Sequence, residues 1–283
     1  MSLKLMYITN RADVAQVAEA VGVDRIFVDM EYIGKDERQA GLDTVKSHHT
    51  LADLRRIREA VSTAEVLVRV NPIHAQMGDL PGSKAEIEAV VQAGADIVML
   101  PMFRRVEEAE RFRDYVNRRA KTMLLLETPE AAEQIEQLVQ IQGIDSFHIG
   151  LNDLHLAMHK KFMFELLADG TVDRLCSTMK ERGRVFGFGG IARIGYGILP
   201  AEYIIKEHYR IGSTQAILSR AFCNANSLQD IGEISELFHI GIKRIRDMEH
   251  QTEGMTAVQL ADNHRQVVQL VEQIVSTMRG MKV

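Results

Sequence analysis

The sequence predicts a closed (β/α)8 barrel with an extra C-terminal helix. Eight short apolar runs alternate with amphipathic helical segments, which implies a parallel sheet joined by right-handed crossovers. The runs are apolar without alternation, as strands buried on both faces require. The 283 residues, 46% hydrophobic, suit one large core, and eight units in about 245 residues close more readily than they open. A doubly wound sheet would want GxGxxG after its first strand, and none is there.

The strands are expected at 3–9 (LKLMYIT), 25–30, 65–70, 96–102, 121–127, 146–151, 184–190 and 214–220. Helical periodicity fills 11–21, 50–62, 84–93, 106–118, 129–140, 171–182 and 200–211, with a long helix near 227–249. Ser83 and Glu86 have the spacing of a capping box. Thr128, Pro129 and Glu130 make a helix start: an N-cap, a proline at the first position and an acid in the first turn. Gly22, Gly94, Gly183 and Gly212 fall just past helix ends, where a left-handed residue is wanted. The last segment, TAVQLADNHRQVVQLVEQIVSTMRGM, exceeds what a barrel needs. Residues 1–250 are therefore expected to form the barrel and 251–283 a helical extension, whose apolar stripe suits another subunit of a homo-oligomer.

Charge and composition exclude several classes. A net charge of -5 and a pI of about 6.1 give no electrostatic case for nucleic acid or an anionic membrane. No apolar run approaches the ~18–20 residues that span a bilayer, and MSLKLMYITN lacks a signal-peptide core. Cys176 and Cys223 belong to no CxxC or Cys/His cluster, so a cytoplasmic protein with free thiols is expected.

In such a barrel the site is built at the C-terminal ends of the strands. There the second strand offers Asp29, Glu31 and Tyr32, the third Arg69 and Asn71, the fifth Glu127, and the sixth Asn152, Asp153 and His155. Glu127 and Asp153 follow adjacent strands. Two carboxylates that close repel unless one is protonated or a cation lies between them, and two acids with open positions suit Mg2+ or Mn2+. Alternatively Glu127 pairs with a basic side chain and Asp153 only caps its loop. Arg69 is either a structural partner of Glu127 or a bidentate grip for a substrate carboxylate.

The pieces FVDMEY, LVRVN, EAVVQAGADIVMLPMF, MLLLETPEA and GIDSFHIGLNDL, over roughly residues 25–155, resemble the metal-dependent pyruvate-type (class II) aldolases grouped with the citrate lyase beta subunit and the malyl-CoA lyases. The resemblance implies a TIM barrel, a divalent metal on Glu127 and Asp153, and Arg69 at a 2-keto acid oxygen or carboxylate. It implies that the backbone from Gly150 through Leu151 to Asn152 holds the substrate carboxylate. The chemistry it implies is carbon–carbon bond cleavage or formation through a metal-bound enolate of pyruvate or of an acyl thioester. Members often exchange the last helix between subunits.

Many of these aldolases carry Asp-x-Glu-His after strand two; here the stretch is Asp29-Met30-Glu31-Tyr32, and a phenol is a poor base near neutrality. Leu125 stands where a Gln is usual. His49, just before the Thr50 N-cap, is a substitute base, since histidine titrates near neutral pH; the other reading is a solvated loop histidine. Lys35, Arg38 and His48 lie in the same long loop. Arg193 in the glycine-rich GFGGIARIGYGILP, Asn10, Arg11, Ser219 and Arg220 are near enough to the mouth to contribute. The expected function is a metal-dependent aldolase for a small 2-keto acid. The alternatives are a citryl- or malyl-CoA-type lyase and a barrel that only binds a metabolite.

Overall fold

The computed structural model describes residues 2–34 and 49–280. Lys35, Arg38 and His48 lie outside them. The strands are β1 (Lys4–Ile8), β2 (Arg25–Asp29), β3 (Glu65–Arg69), β4 (Ile97–Leu100), β5 (Lys121–Leu126), β6 (Ser146–Ile149), β7 (Val185–Ile191) and β8 (Gln215–Leu218). Each pairs in parallel with the next, and β8 pairs with β1 to close the barrel.

The helices among the described residues are α1 (Ala12–Ala20), α2 (Leu51–Ala60), α3 (Ser83–Gln92), α4 (Val106–Val116), α5 (Pro129–Glu133), α6 (Ile135–Leu138), α7 (Leu151–Ala157), α8 (Glu165–Ala168), α9 (Thr171–Glu181), α10 (Ala201–Ile211), α11 (Ile231–Glu253) and α12 (Ala257–Gly280).

One side-chain parity builds the barrel interior. Met6, Phe27, Leu67, Ile97, Met99, Met123 and Leu125 form a separate apolar plug inside it. Outward residues of the same strands join the larger core under the helices. Below the plug, Arg25 donates to Glu65 Oε2 (3.0 Å) and to Gln215 Oε1 (2.7 Å), and Gln215 Nε2 donates to the Phe147 carbonyl (2.8 Å). This network closes the N-terminal end, so access lies at the opposite mouth.

All eight strands and the long C-terminal helix occur where the sequence places them, and Gly22, Gly94, Gly183 and Gly212 all have positive φ. Three details differ. The helix expected at 129–140 breaks at Gln134, whose backbone N–H turns back to the Ala131 carbonyl while its side-chain amide takes the Glu130 carbonyl. The Ser83–Glu86 capping box does not form: the N-cap is Gly82, Ser83 Oγ accepts from His74 N, and Glu86 is drawn inward to Asn71. Finally, α7 and α8 occupy a stretch with too few residues to show a period.

The final helix α12 lies against α10 of its own barrel. Asn263 Nδ2 donates to the Tyr203 carbonyl and to Glu207 Oε1, and His264 Nδ1 donates to Glu207 Oε2. Val267, Val271 and Val275 are buried beside this latch. Among the described residues, no helix is long and apolar enough to cross a membrane.

Candidate active site

Glu127 is the first residue past β5, and only 2% of it is exposed. Thr128 anchors the turn behind it, donating to the Phe103 carbonyl (2.7 Å) and accepting from Ala131 N. Pro129 opens α5 as expected. Glu127 Oε1 accepts from the Met102 N–H at 3.1 Å. Met102 holds a left-handed backbone, φ 51°, which a methionine rarely adopts. The turn after β4 thus spends backbone strain to aim a donor at this carboxyl.

Across the seam to β6 stands Gly150. A Cβ there would meet Glu127 Oε2 at 2.8 Å and Glu127 Cβ at 2.9 Å. Glu127 fills the place a side chain at 150 would take. Gly150 is also the N-cap of α7, which puts Asp153 in the first helical turn. Burial, then Asp153, then Glu31 push the Glu127 carboxyl well above the usual carboxylate range. That is the electrostatic state a divalent cation between the two acids would reverse. No cluster of three or more His, Cys, Asp or Glu side chains among the described residues is placed to hold a metal. Glu127 and Asp153 would therefore supply two ligands, and water or substrate the rest, as hard cations accept.

Arg69 ends β3 beside Asp29 of β2, its partner in the sheet register. Its Nε donates to Asp29 Oδ1 and its Nη2 to Asp29 Oδ2, each at 2.8 Å, and Glu31 Oε2 lies 3.4 Å from Nε. The guanidinium also sits 5.6 Å above the Phe27 ring. Burial alone would lower its proton affinity; Asp29 and Glu31 hold it well above the ordinary value. Arg69 is thus fixed by Asp29 rather than by Glu127. Its Nη1 makes no hydrogen bond to a described residue.

The β2 loop is clamped from beneath. Asn71 Oδ1 accepts from Tyr32 N and Ile33 N, both at 3.0 Å, and its Nδ2 donates to Glu86 (2.7 Å). Burial raises the Glu86 carboxyl above its usual range. Tyr32 is 44% exposed, and burial and Glu86 both raise its phenol, which makes it a weaker base still. His49 packs under Asp29: Asp29 N–H donates to His49 Nδ1 at 2.9 Å. That bond fixes the tautomer with a lone pair on Nδ1.

A cavity of about 320 Å³ opens at the mouth, and Asp29, Arg69, Glu127, Gly150, Asn152 and Asp153 all line it. Glu31, Tyr32 and His49 lie outside its wall, Glu31 being buried behind it. Ser219 and Arg220 line it too, whereas Arg11 serves the fold, its Nη1 donating to the Ala225 and Leu228 carbonyls. Arg193 stacks on Tyr196, 4.1 Å from its ring centre. The sequence reading did not include Tyr7, His148, Asn224 or Asn226, which also line the cavity. His148 had a usable signal, since inward parity on β6 runs through it to Gly150, whereas Tyr7 has the outward parity of β1, where Met6 and Ile8 point inward. Asn224 and Asn226 stand beyond the end of β8 on a turn without periodicity.

A closed parallel barrel with paired acids and an arginine at its mouth defines the class: a barrel enzyme arranged to handle developing negative charge. A family model, HpcH/HpaI aldolase/citrate lyase, matches residues 4–164, and the chain belongs to that family. Its members are carbon–carbon lyases, and they generally depend on a divalent metal. Among solved structures, the fold is similar to an HpcH/HpaI aldolase from Desulfitobacterium hafniense (TM-score 0.59, 16% identity, covering 87% of this chain and 93% of that one). It is also similar to a family protein from Burkholderia cenocepacia (0.58, 15%, 82% and 95%) and to a citrate synthase variant, SbnG (0.57, 15%, 87% and 94%). No curated protein matches significantly.

Proposed function

We propose that this protein cleaves or forms a carbon–carbon bond in a small 2-keto acid, by way of a pyruvate enolate, with Mg2+ or Mn2+ held by Glu127 and Asp153. The supporting observation is the raised Glu127 carboxyl facing Asp153 over an open cavity, with Arg69 charged beside it. When bound, the cation supplies positive charge at the 2-keto oxygen and neutralises the two acids.

The chain's own residues do the rest. Arg69 is aimed by Asp29 and offers Nη1 to the oxygen on which charge grows as the bond breaks, so its attraction is strongest in the transition state. The N–H groups of Leu151 and Asn152 open α7 and have no partner within the helix, which leaves them for the substrate carboxylate. Proton transfer falls to the β2 loop. Glu31, buried beside Arg69 just behind the cavity wall, is favoured over the exposed Tyr32 and over His49, whose Nδ1 is committed to the backbone. Residues 1–250 serve as the catalytic barrel and 251–283 as an extension in a cytoplasmic homo-oligomer, a setting that suits the buried free thiols of Cys176 and Cys223.

Deuterium exchange at the pyruvate methyl, followed by NMR with Mg2+ or Mn2+, tests the reading, and metal-dependent exchange is expected. Binding of pyruvate without exchange under any divalent cation would leave a barrel that only binds a metabolite. Thermal stabilisation by CoA esters and not by pyruvate would favour a citryl- or malyl-CoA-type lyase.

A further inference from the structure

The cavity has a second polar wall, three strands round from Glu127. It comes from the turn after β8, where Asn224 and Asn226 face the cavity. Between the two walls Ile8, Leu125 and Ile217 make the floor apolar. Neither asparagine side chain makes a hydrogen bond to a described residue, although the backbone that carries them is pinned. Tyr7 Oη donates to the Cys223 carbonyl (3.1 Å), Ser227 N and Oγ donate to the Asn224 carbonyl (3.0 and 2.9 Å), and Arg11 Nη1 donates to the Ala225 carbonyl (3.0 Å). Arg11 is itself oriented by two contacts to Asp13. Below the turn, Phe222 fills the space left by Gly241, where a Cβ would meet its ring at 2.7 Å.

Three successive carbonyls, two tied to the body and the middle one held by Ser227 within the turn, leave the side chains of Asn224 and Asn226 as the turn's available polar groups. A rigid backbone presenting unpartnered amides into a cavity is pre-organised to bind, because little entropy is lost when a ligand arrives. An amide rewards an oxygen and leaves a hydrocarbon unrewarded.

We infer that Asn224 and Asn226 are specificity-determining residues that receive the oxygen-bearing end of the substrate, the end remote from the keto acid group. This rests on the lyase reading of the same cavity. The carbonyl compound that joins or leaves pyruvate then carries a hydroxyl or a carboxylate on its tail. Arg220, on the same wall, separates the two: a carboxylate gains from the guanidinium, whereas a hydroxyl relies on the amides.

The test is aldol addition of pyruvate with Mg2+ to two matched pairs of aldehydes. Glyceraldehyde and propanal share a three-carbon skeleton, and succinic semialdehyde and butanal share a four-carbon one. The intact protein should prefer one oxygenated member over its hydrocarbon partner by about tenfold or more in kcat/KM, the ratio for one hydrogen bond of about 1.4 kcal/mol. Asn224→Leu with Asn226→Leu should erase that preference while leaving methyl exchange of pyruvate unchanged. Arg220→Gln should reduce it only if the favoured tail is the carboxylate. Equal use of both members of each pair, or a preference that survives the double substitution, overturns the inference while the lyase reading stands. A loss of exchange in step with the preference would make the wall structural and overturn it as well. Absence of exchange in the intact protein removes the lyase reading and this inference together.

Discussion

At the scale of single residues, the proposed chemistry concentrates on Glu127. It is buried, faces a second acid and holds one backbone donor from Met102. Glu127→Gln keeps the shape and removes the charge. Mg2+ affinity by calorimetry should fall about a hundredfold or more while the metal-free barrel keeps its circular dichroism; unchanged affinity would place the cation elsewhere. Arg69→Lys replaces a planar fork with a point charge and breaks one of the two contacts to Asp29. Pyruvate KM should rise about 10–100-fold, and an unchanged KM would make Arg69 purely structural. His148 belongs to this scale for another reason. Burial lowers its pKa from 6.5 to about 4, so its contribution to stability is present above pH 6.5 and is lost as pH falls through 4. His148→Phe should flatten the urea-unfolding profile between those limits by up to about 3 kcal/mol, the linkage value of such a shift. An identical acid slope in the variant would contradict it.

The acids were legible one by one, because a carboxylate at the end of an apolar run has no cheap burial. Their partners were not. That Asp29 takes Arg69 follows from strand register, which brings residues 40 apart in sequence side by side.

At the scale of elements, two turns control the site. A methyl at 150 has no room beside Glu127, so Gly150→Ala should displace that carboxyl and weaken Mg2+ binding about tenfold or more with only a small change in Tm. A variant with wild-type affinity would show that the turn gives way freely. The other turn is the Asn71 clamp. Asn71→Leu removes the side-chain acceptor of two loop N–H groups and the side-chain donor to buried Glu86, which keeps only the backbone N–H of residue 71, and should cost about 2–4 kcal/mol by urea denaturation. The barrel strands could be read from composition because burial on both faces demands continuous apolar runs. The broken helix at Gln134 and short α7 could not, since a side chain competing for one carbonyl leaves no periodic trace.

At the scale of the whole molecule, closure of the sheet and the α12 latch set stability. Glu207 is buried with contacts from Arg210, Asn263 and His264. Glu207→Leu strands His264 Nδ1 and takes one acceptor each from Asn263 and Arg210, which keep Tyr203 and Asp173, and hydrogen exchange in α12 should accelerate about tenfold or more, with β1 to β6 protected as before; uniform loss of protection would mean that latch and barrel unfold as one unit.

The seam between β1 and β8 joins the first strand of the barrel to the last. Lys4 waits for Gln215, and Leu3 N–H for Glu249 Oε1 at 2.7 Å. A nascent chain therefore carries β1 with one naked flank until β8 has been made. A ribosome stalled before β8 would hold out an adhesive strand, and such stalled chains should recruit holding chaperones that the finished barrel does not attract.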